Sequence, residues 1–214
     1  MIDCILLFGA INGGRNMLIT KGFTFEGSHI VRNCSSTRCK FSIHGHSYKV
    51  WVTFTADGLD NGMMVMDFGL MKGTIKDFVD SFDHAYSMWS KETPDFKEFI
   101  YNNSARYIEM PVSPSAEAYA IMFFKVIDAI LECTRFANGE RNVRLHSVRV
   151  HETATGYAEA FREDMKWVDF TLDDIVFSDG IRQEWQDPNM YEKLKDSWYK
   201  GDPCFYNRPV VQQV

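Results

Sequence analysis

Net positive charge is missing from this chain. Its 23 Lys and Arg stand against 29 Asp and Glu, for a formal charge of -6. A basic footprint for nucleic acid is therefore absent, and a phosphorylated ligand would have to be held by a few local cations. Cysteine is sparse, odd in number and scattered, at Cys4, Cys34, Cys39, Cys133 and Cys204. That does not read as a disulfide framework, and a reducing cytoplasm is the simpler expectation. Long apolar runs are also lacking. The stretch Ile5 to Ile11 is too short to span a bilayer, and Asp3 is the one charge before it, so it does not read as a signal peptide either. Gly9 to Gly14 opens no helix and is no dinucleotide fingerprint. There is no internal repeat and no low-complexity tract. What is left is 214 residues with 45% hydrophobic and 24% charged content, enough for one domain with a sizeable core plus an extension.

Histidine is also scarce, with six in the chain, yet three fall within His29, His44 and His46. His44 and His46 are two apart, so on a strand both imidazoles point to one face. His29 lies on an earlier apolar stretch that can pair alongside as a hairpin partner. Three imidazoles on neighbouring strands can cap one metal ion and leave a fourth position open, the arrangement of a catalytic zinc site. On residue types alone, three unrelated histidines are the competing reading.

Period-two alternation predicts strands over roughly 17–28 and 43–56, joined by a Cys/Ser/Arg-rich loop at 32–41. Asp57 to Gly62 is turn material. Leu70, Met71, Ile75, Phe78, Val79 and Phe82 are near helical spacing and predict one helix ending close to Asp83-His84. Residues 87–114, with Pro94, Pro111 and Pro114, read as a long connection. Ser115 can cap a second helix whose core face includes Ala120, Ile121, Phe124, Ile127, Ile130 and Leu131. After the Asn138-Gly139 break come strands at about 143–152 and 156–163. Residues 1–16 read as an N-terminal extension and 17–164 as the main domain. Residues 165–214 read as an appended C-terminal segment, too aromatic to be a disordered tail.

The ordered set Phe25-Glu26-Gly27-Ser28-His29, Cys39 through His46, Tyr48-Lys49-Val50, Gly62 through Phe68, Asp83-His84, Pro114-Ser115-Ala116-Glu117 and His151-Glu152-Thr153 resembles the 6-pyruvoyltetrahydropterin synthase / 6-carboxytetrahydropterin synthase family. The resemblance covers about residues 17–163. It implies an α+β tunnelling fold: a four-stranded antiparallel sheet with two helices on one face, in the order β-β-α-α-β-β. It also implies assembly into an oligomeric barrel, a homohexamer built as a dimer of trimers with its pockets between subunits.

Residue by residue, the resemblance implies Zn2+ on His29, His44 and His46, Cys39 as general base, and His84 oriented by Asp83 as proton relay. Glu152 would take the guanidine-like edge of a pterin, with Ser115 lining the same pocket, and the substrate would be 7,8-dihydroneopterin triphosphate. Cys34 is the rival base but lies further from His44. Arg32, Arg38 and Lys40 are candidate triphosphate contacts, His146 and His151 structural or exposed residues, and Met63, Met64 and Met66 core filler. In the family's 6-carboxy members three residues usually separate the base from the His-Gly-His motif, and in the 6-pyruvoyl members five. Here there are four, Lys40 to Ile43. Ala116 stands beside Ser115 where a hydroxyl residue is common. The resemblance leans to 6-carboxytetrahydropterin synthase of the 7-deazaguanine (queuosine-type) pathway. The alternatives are 6-pyruvoyltetrahydropterin synthase and a non-catalytic pterin-binding module. No nucleic-acid or membrane partner is expected.

Overall fold

The computed structural model describes residues 17–207; the expected extension 1–16 and the Pro209-Val210-Val211 tail lie outside them. Strand β1 (Leu18–His29) pairs antiparallel with β2 (His44–Thr55) along its full length. β2 pairs with β6 (Arg144–His151), and β6 with β7 (Tyr157–Ala160). This four-stranded antiparallel block is part of a larger sheet. β3 (Ala85–Trp89) adds parallel to the end of β1, followed by β4 (Tyr107–Met110) and β8 (Val176–Phe177), giving seven strands in the order β7-β6-β2-β1-β3-β4-β8. The expected sheet of four strands is thus corrected to seven. β5 (Thr134–Phe136) and β9 (Phe205–Asn207) form a separate parallel pair.

The three added strands come from segments that read as connection or appendage. Within 87–114, Pro94 does not interrupt structure but opens helix α4 (Pro94–Asn103) at its first turn, where a missing N–H leaves nothing unpaired. Phe96 and Ile100 of α4 cover Ile30, Tyr86 and Met88, a small second core apart from the main one. The loop after β1 also holds a short helix, α1 (Thr37–Phe41). The single helix expected before Asp83 is two, α2 (Gly69–Lys72) and α3 (Thr74–Asp80), because Gly73 leaves helical geometry with ψ at -110°.

Ser115 does cap α5 (Ala116–Glu132), its Oγ accepting the Ala118 N–H at 3.2 Å. α5 is buried on most sides, not on one stripe, since Tyr119, Met122, Phe123, Val126, Ile127 and Ile130 all lose essentially all exposure. A helix apolar all round needs partners on both sides. The sheet supplies one. The other includes α7 (Met190–Lys200), which follows the short helix α6 (Asp179–Arg182) and packs against α5.

The C-terminal segment, which reads in the sequence as an ordered appendage, contributes residues to the main core itself. Phe170, Leu172, Ile175, Phe177, Ile181, Trp185, Met190, Tyr191 and Leu194 join Phe78, Phe82 and Phe123 in one continuous cluster. Its buried polar atoms are satisfied from inside the domain: Trp185 Nε1 donates to Ser81 Oγ at 2.8 Å and Tyr191 Oη to the Leu172 carbonyl at 2.8 Å. Leu194 of α7 is fully buried. Leu194→Ala should therefore lower stability by about 2–5 kcal/mol, the range for a buried leucine truncated in a packed core. A single unfolding transition in urea, shifted to lower denaturant, is the expected reading. An unshifted curve would mean that α7 is a dispensable surface addition.

Candidate active site

The β1–β2 register builds the centre of the site. His29 stands directly opposite His44, and Gly27 opposite His46. Alternation then sends His29, His44, His46 and Tyr48 to the helix-facing side of the sheet. The three imidazoles form one cluster, with ring centroids 4.5 Å apart for His29–His44, 5.4 Å for His29–His46 and 5.3 Å for His44–His46. One ligand nitrogen from each lies within 4.8 Å of the others.

The surroundings prepare those nitrogens. His29 Nδ1 donates to the Pro114 carbonyl at 2.7 Å and His44 Nδ1 to the Ser42 carbonyl at 2.9 Å. Each bond fixes the tautomer and leaves Nε2 with its lone pair, the usual second-layer support of a metal-binding histidine. His29 is fully buried. Burial pushes its pKa down to about 4, and the neighbouring His44 and His46 push the same way against the Pro114 bond. It is therefore neutral at pH 7, as a ligand must be. The donor set fits Zn2+ with a position left open.

Glu152 joins this centre through a second register. Lys49 pairs with His151, so the next residue along comes level with Tyr48 on the same helix-facing side. Glu152 Oε1 lies 3.6 Å from His29 Nε2 and 3.7 Å from His46 Nε2. Two buried tyrosines line the same place and were not singled out from the sequence. Tyr48 Oη is 3.3 Å from His29 Nε2, and Tyr119 stacks on the His29 ring at 6.2 Å. Tyr48 was legible as the next alternate position after His46; Tyr119, four residues along the helix from Ser115, carried no such signal. The Tyr119 hydroxyl, fully enclosed, sits beside the Ser87 and Tyr48 hydroxyls without a well-formed hydrogen bond to either.

Asp83 and His84 are paired, with Nδ1 3.0 Å from Asp83 Oδ2, but they stand elsewhere. Asp83 Oδ1 accepts the Glu26 N–H at 2.8 Å and the His84 N–H donates to the Glu26 carbonyl at 2.7 Å. Burial raises the Asp83 pKa, but the Glu26 amide, His84 and Arg106 outweigh it, and the carboxyl is held below its usual range. His84 adopts a left-handed backbone, φ 51°, uncommon for a residue with a side chain. It borders a cavity of about 410 Å³ with Glu26, Ser28, Gly45, His46 and Ser47. Glu26, Ser28 and Ser47 alternate to the side opposite the three imidazoles, where Ser47 Oγ donates to Glu26 Oε2 at 2.7 Å.

Cys39 lies on α1, partly exposed, and its carbonyl accepts the Val31 N–H at 2.9 Å, two residues beyond His29. Cys34 turns its thiol to the Ser36 carbonyl. Ser115 acts as a helix cap. Of the remaining histidines, His146 packs on Phe161 and His151 on Tyr157.

A helix-backed mixed sheet whose antiparallel block carries a three-imidazole cluster flanked by a carboxylate defines an α+β protein with a site that could hold a metal ion. The chain belongs to the 6-pyruvoyl tetrahydropterin synthase family, whose profile matches residues 18–163. It is 41% identical over 202 residues to the 6-carboxy-5,6,7,8-tetrahydropterin synthase of Helicobacter pylori, covering 92% of this chain and 100% of that one. That share is too large for residues 18–163 alone, so the likeness runs beyond the family span. The enzyme of the same name from Aquifex aeolicus is 33% identical over 158 residues, 66% of this chain and 95% of that one. An uncharacterized protein of Wolinella succinogenes has a solved structure that superposes with a TM-score of 0.57 at 19% identity, over 70% of this chain and 99% of that one. This last likeness is one of fold. Among the described residues no helix is long and apolar enough to cross a membrane.

The purified protein should carry about one Zn2+ per chain, read by elemental analysis, and His46→Ala should lose it; full metal retention in that variant would contradict the site. The same geometry fixes a pH dependence for the metal-free protein. His29 binds a proton near pH 4 folded and near its ordinary 6.5 unfolded, so the unfolded state holds more protons in between. Stability should be independent of this group above 6.5 and should fall as pH drops from 6.5 toward 4. Calorimetry across that window, with His29→Gln as control, should show the fall reduced in the variant.

Proposed function

We propose that this protein converts 7,8-dihydroneopterin triphosphate to 6-carboxy-5,6,7,8-tetrahydropterin in a zinc-dependent, lyase-type reaction of the 7-deazaguanine (queuosine-type) pathway. The observation that carries the reading is Glu152, whose carboxylate stands at the rim of the imidazole cluster. Both carboxylate oxygens suit the paired N–H donors of a pterin edge. A pterin gripped there would extend its hydroxylated side chain toward His29, His44 and His46. The likeness over most of the chain to relatives named 6-carboxy-5,6,7,8-tetrahydropterin synthase favours the carboxy product.

Bound to the three imidazoles, Zn2+ would supply Lewis-acid polarisation of the side-chain hydroxyls. The chain's own residues do the rest. Cys39 removes the proton from the carbon beside a polarised hydroxyl, which requires its thiolate form. Asp83 orients His84 through Nδ1, leaving Nε2 to carry a proton. Tyr48 and Tyr119 keep water from the His29 side. Ser115 contributes to the pterin pocket in addition to its cap.

The placement of Asp83-His84 on the far side of the β1–β2 hairpin supports the assembly read from the resemblance, a homohexamer of two trimers in which one subunit's dyad serves a neighbour's metal. Strand edges support it as well. β3 covers β1 only over residues 27–29, leaving 18–25 without a strand partner on that side among the described residues, and β7 is the other end of the antiparallel block. Open edges pair or are covered. Light scattering at micromolar concentration should give a mass near six chains, and a monomer would contradict the assembly.

The reaction is tested by incubating the zinc-loaded enzyme with 7,8-dihydroneopterin triphosphate and identifying products by mass spectrometry. Carboxytetrahydropterin, acetaldehyde and free triphosphate are expected. Pyruvoyltetrahydropterin would identify the sister activity, and bound but unchanged ligand a pterin-binding module. Cys39→Ala should keep metal and fold while losing roughly two to four orders of magnitude in kcat, the range for a general base. Cys34→Ala should stay near the parent, and a dead Cys34→Ala beside an active Cys39→Ala would reassign the base.

A further inference from the structure

Arg32 lies three residues beyond His29 and was a candidate triphosphate contact. Its guanidinium is otherwise engaged. Nε donates to Glu92 Oε1 at 2.6 Å, Nη1 donates to the Lys40 carbonyl at 3.1 Å, and the guanidinium carbon lies 5.3 Å from the centre of the Phe96 ring. Glu92 sits in the turn between β3 and α4 with its side chain only 6% exposed. The Arg32 carbonyl meanwhile accepts the Ser113 hydroxyl at 3.2 Å, one residue before the Pro114 carbonyl that fixes His29. Three segments therefore converge on one residue: the α4 insertion through Glu92, the Cys39 helix through Lys40, and the strand to α5 through Ser113.

We propose that Arg32, clamped by Glu92, is a positioning residue for Cys39, fixing helix α1 against the end of β1 so that the thiol is presented to the imidazole cluster. The inference rests on the proposed role of Cys39. α1 needs such a clamp. It is five residues long, buries none of them and has no side-chain N-cap bond, so it cannot hold itself in place. Its backbone ties to the rest of the site include the Val31–Cys39 bond and the Arg32–Lys40 bond. A guanidinium fork suits the task, since it reaches the carboxylate and the carbonyl from different nitrogens with a fixed angle between them. A lysine ammonium can keep the charge on Glu92 without that fixed second arm. The ring of Phe96 under the guanidinium sets its plane. The α4 insertion would in this way act on the chemistry without touching substrate.

The test compares Arg32→Lys, Arg32→Gln and Glu92→Gln in the zinc-loaded full-length protein. Zinc content, melting temperature, kcat and KM for 7,8-dihydroneopterin triphosphate, and iodoacetamide alkylation of Cys39 relative to Cys204 are measured, the last by peptide mass spectrometry. Zinc should stay at one per chain, because the Arg32 carbonyl bond to Ser113 survives in every variant. Arg32→Lys should keep the melting temperature close to the parent. It should nevertheless lose roughly ten- to a hundredfold in kcat at unchanged KM, the scale of a misplaced reacting group, and shift the Cys39 to Cys204 alkylation ratio. Glu92→Gln should shift that ratio in the same direction, and serves if Arg32→Gln does not fold. A folded Arg32→Lys with parental kcat and parental alkylation ratio would overturn the proposal and leave Arg32 a structural ion pair. If Cys39→Ala is fully active, the assignment of the base fails, while the alkylation ratio still reports whether Arg32 positions the thiol.

Discussion

The pairing of His29 opposite His44 is the constraint on which the rest of the site depends. Because side chains alternate with a period of two, a slip of one residue in β1 would turn His29 to the wrong side of the sheet. The register is held by what lies behind it. Phe25 and Tyr48, also paired, stack at 4.6 Å, and Val50, Val52 and Phe54 follow in the core. The same hydrophobic alternation that folds the hairpin thus aims its imidazoles. A second register, β2 against β6, brings Glu152 level with Tyr48. The imidazole cluster and the carboxylate beside it are in this sense products of two strand pairings, not of loop conformation.

Burial then tunes what the register places. His29 has lost its solvent and keeps one strong hydrogen bond to a backbone carbonyl, so the proton it would hold in water is expelled well below neutral pH. The dyad on the other face is tuned in the opposite sense: Asp83 is kept ionised by an amide, an imidazole and a guanidinium. The β1–β2 hairpin therefore carries the three imidazoles, with a neutral His29, on one side and is bonded through Glu26 to the Asp83–His84 pair on the other.

The sequence revealed these positions unevenly, for physical reasons. The His29, His44 and His46 cluster and the Ser115 cap were legible because each depends on local periodicity or on one turn of helix. The strands of the antiparallel block were legible by alternation. The added strands were not. β3, β4 and β8 are only five, four and two residues long, and so short a run carries no period of its own. Pro94 read as a break, although at a first helical turn it favours a helix. The Gly73 break between α2 and α3 was masked by apolar spacing that continues across it. The integration of the C-terminal segment was half visible: its aromatics showed that it must be covered, but nothing in their order showed that α5 was the surface waiting for them. The role of Arg32 was the least legible. A cation near a presumed phosphate reads as a phosphate contact until Glu92 is seen beside it.

If the β1–β2 register aims three imidazoles at one metal ion, Cys39 stays outside the coordination shell. X-ray absorption at the zinc edge of the purified protein tests this most directly. Three imidazole nitrogens at about 2.0–2.1 Å with light-atom completion of the shell and no sulfur are expected. A sulfur scatterer at about 2.3 Å would make a cysteine a ligand, and would contradict both the open site and the assignment of Cys39 as its base.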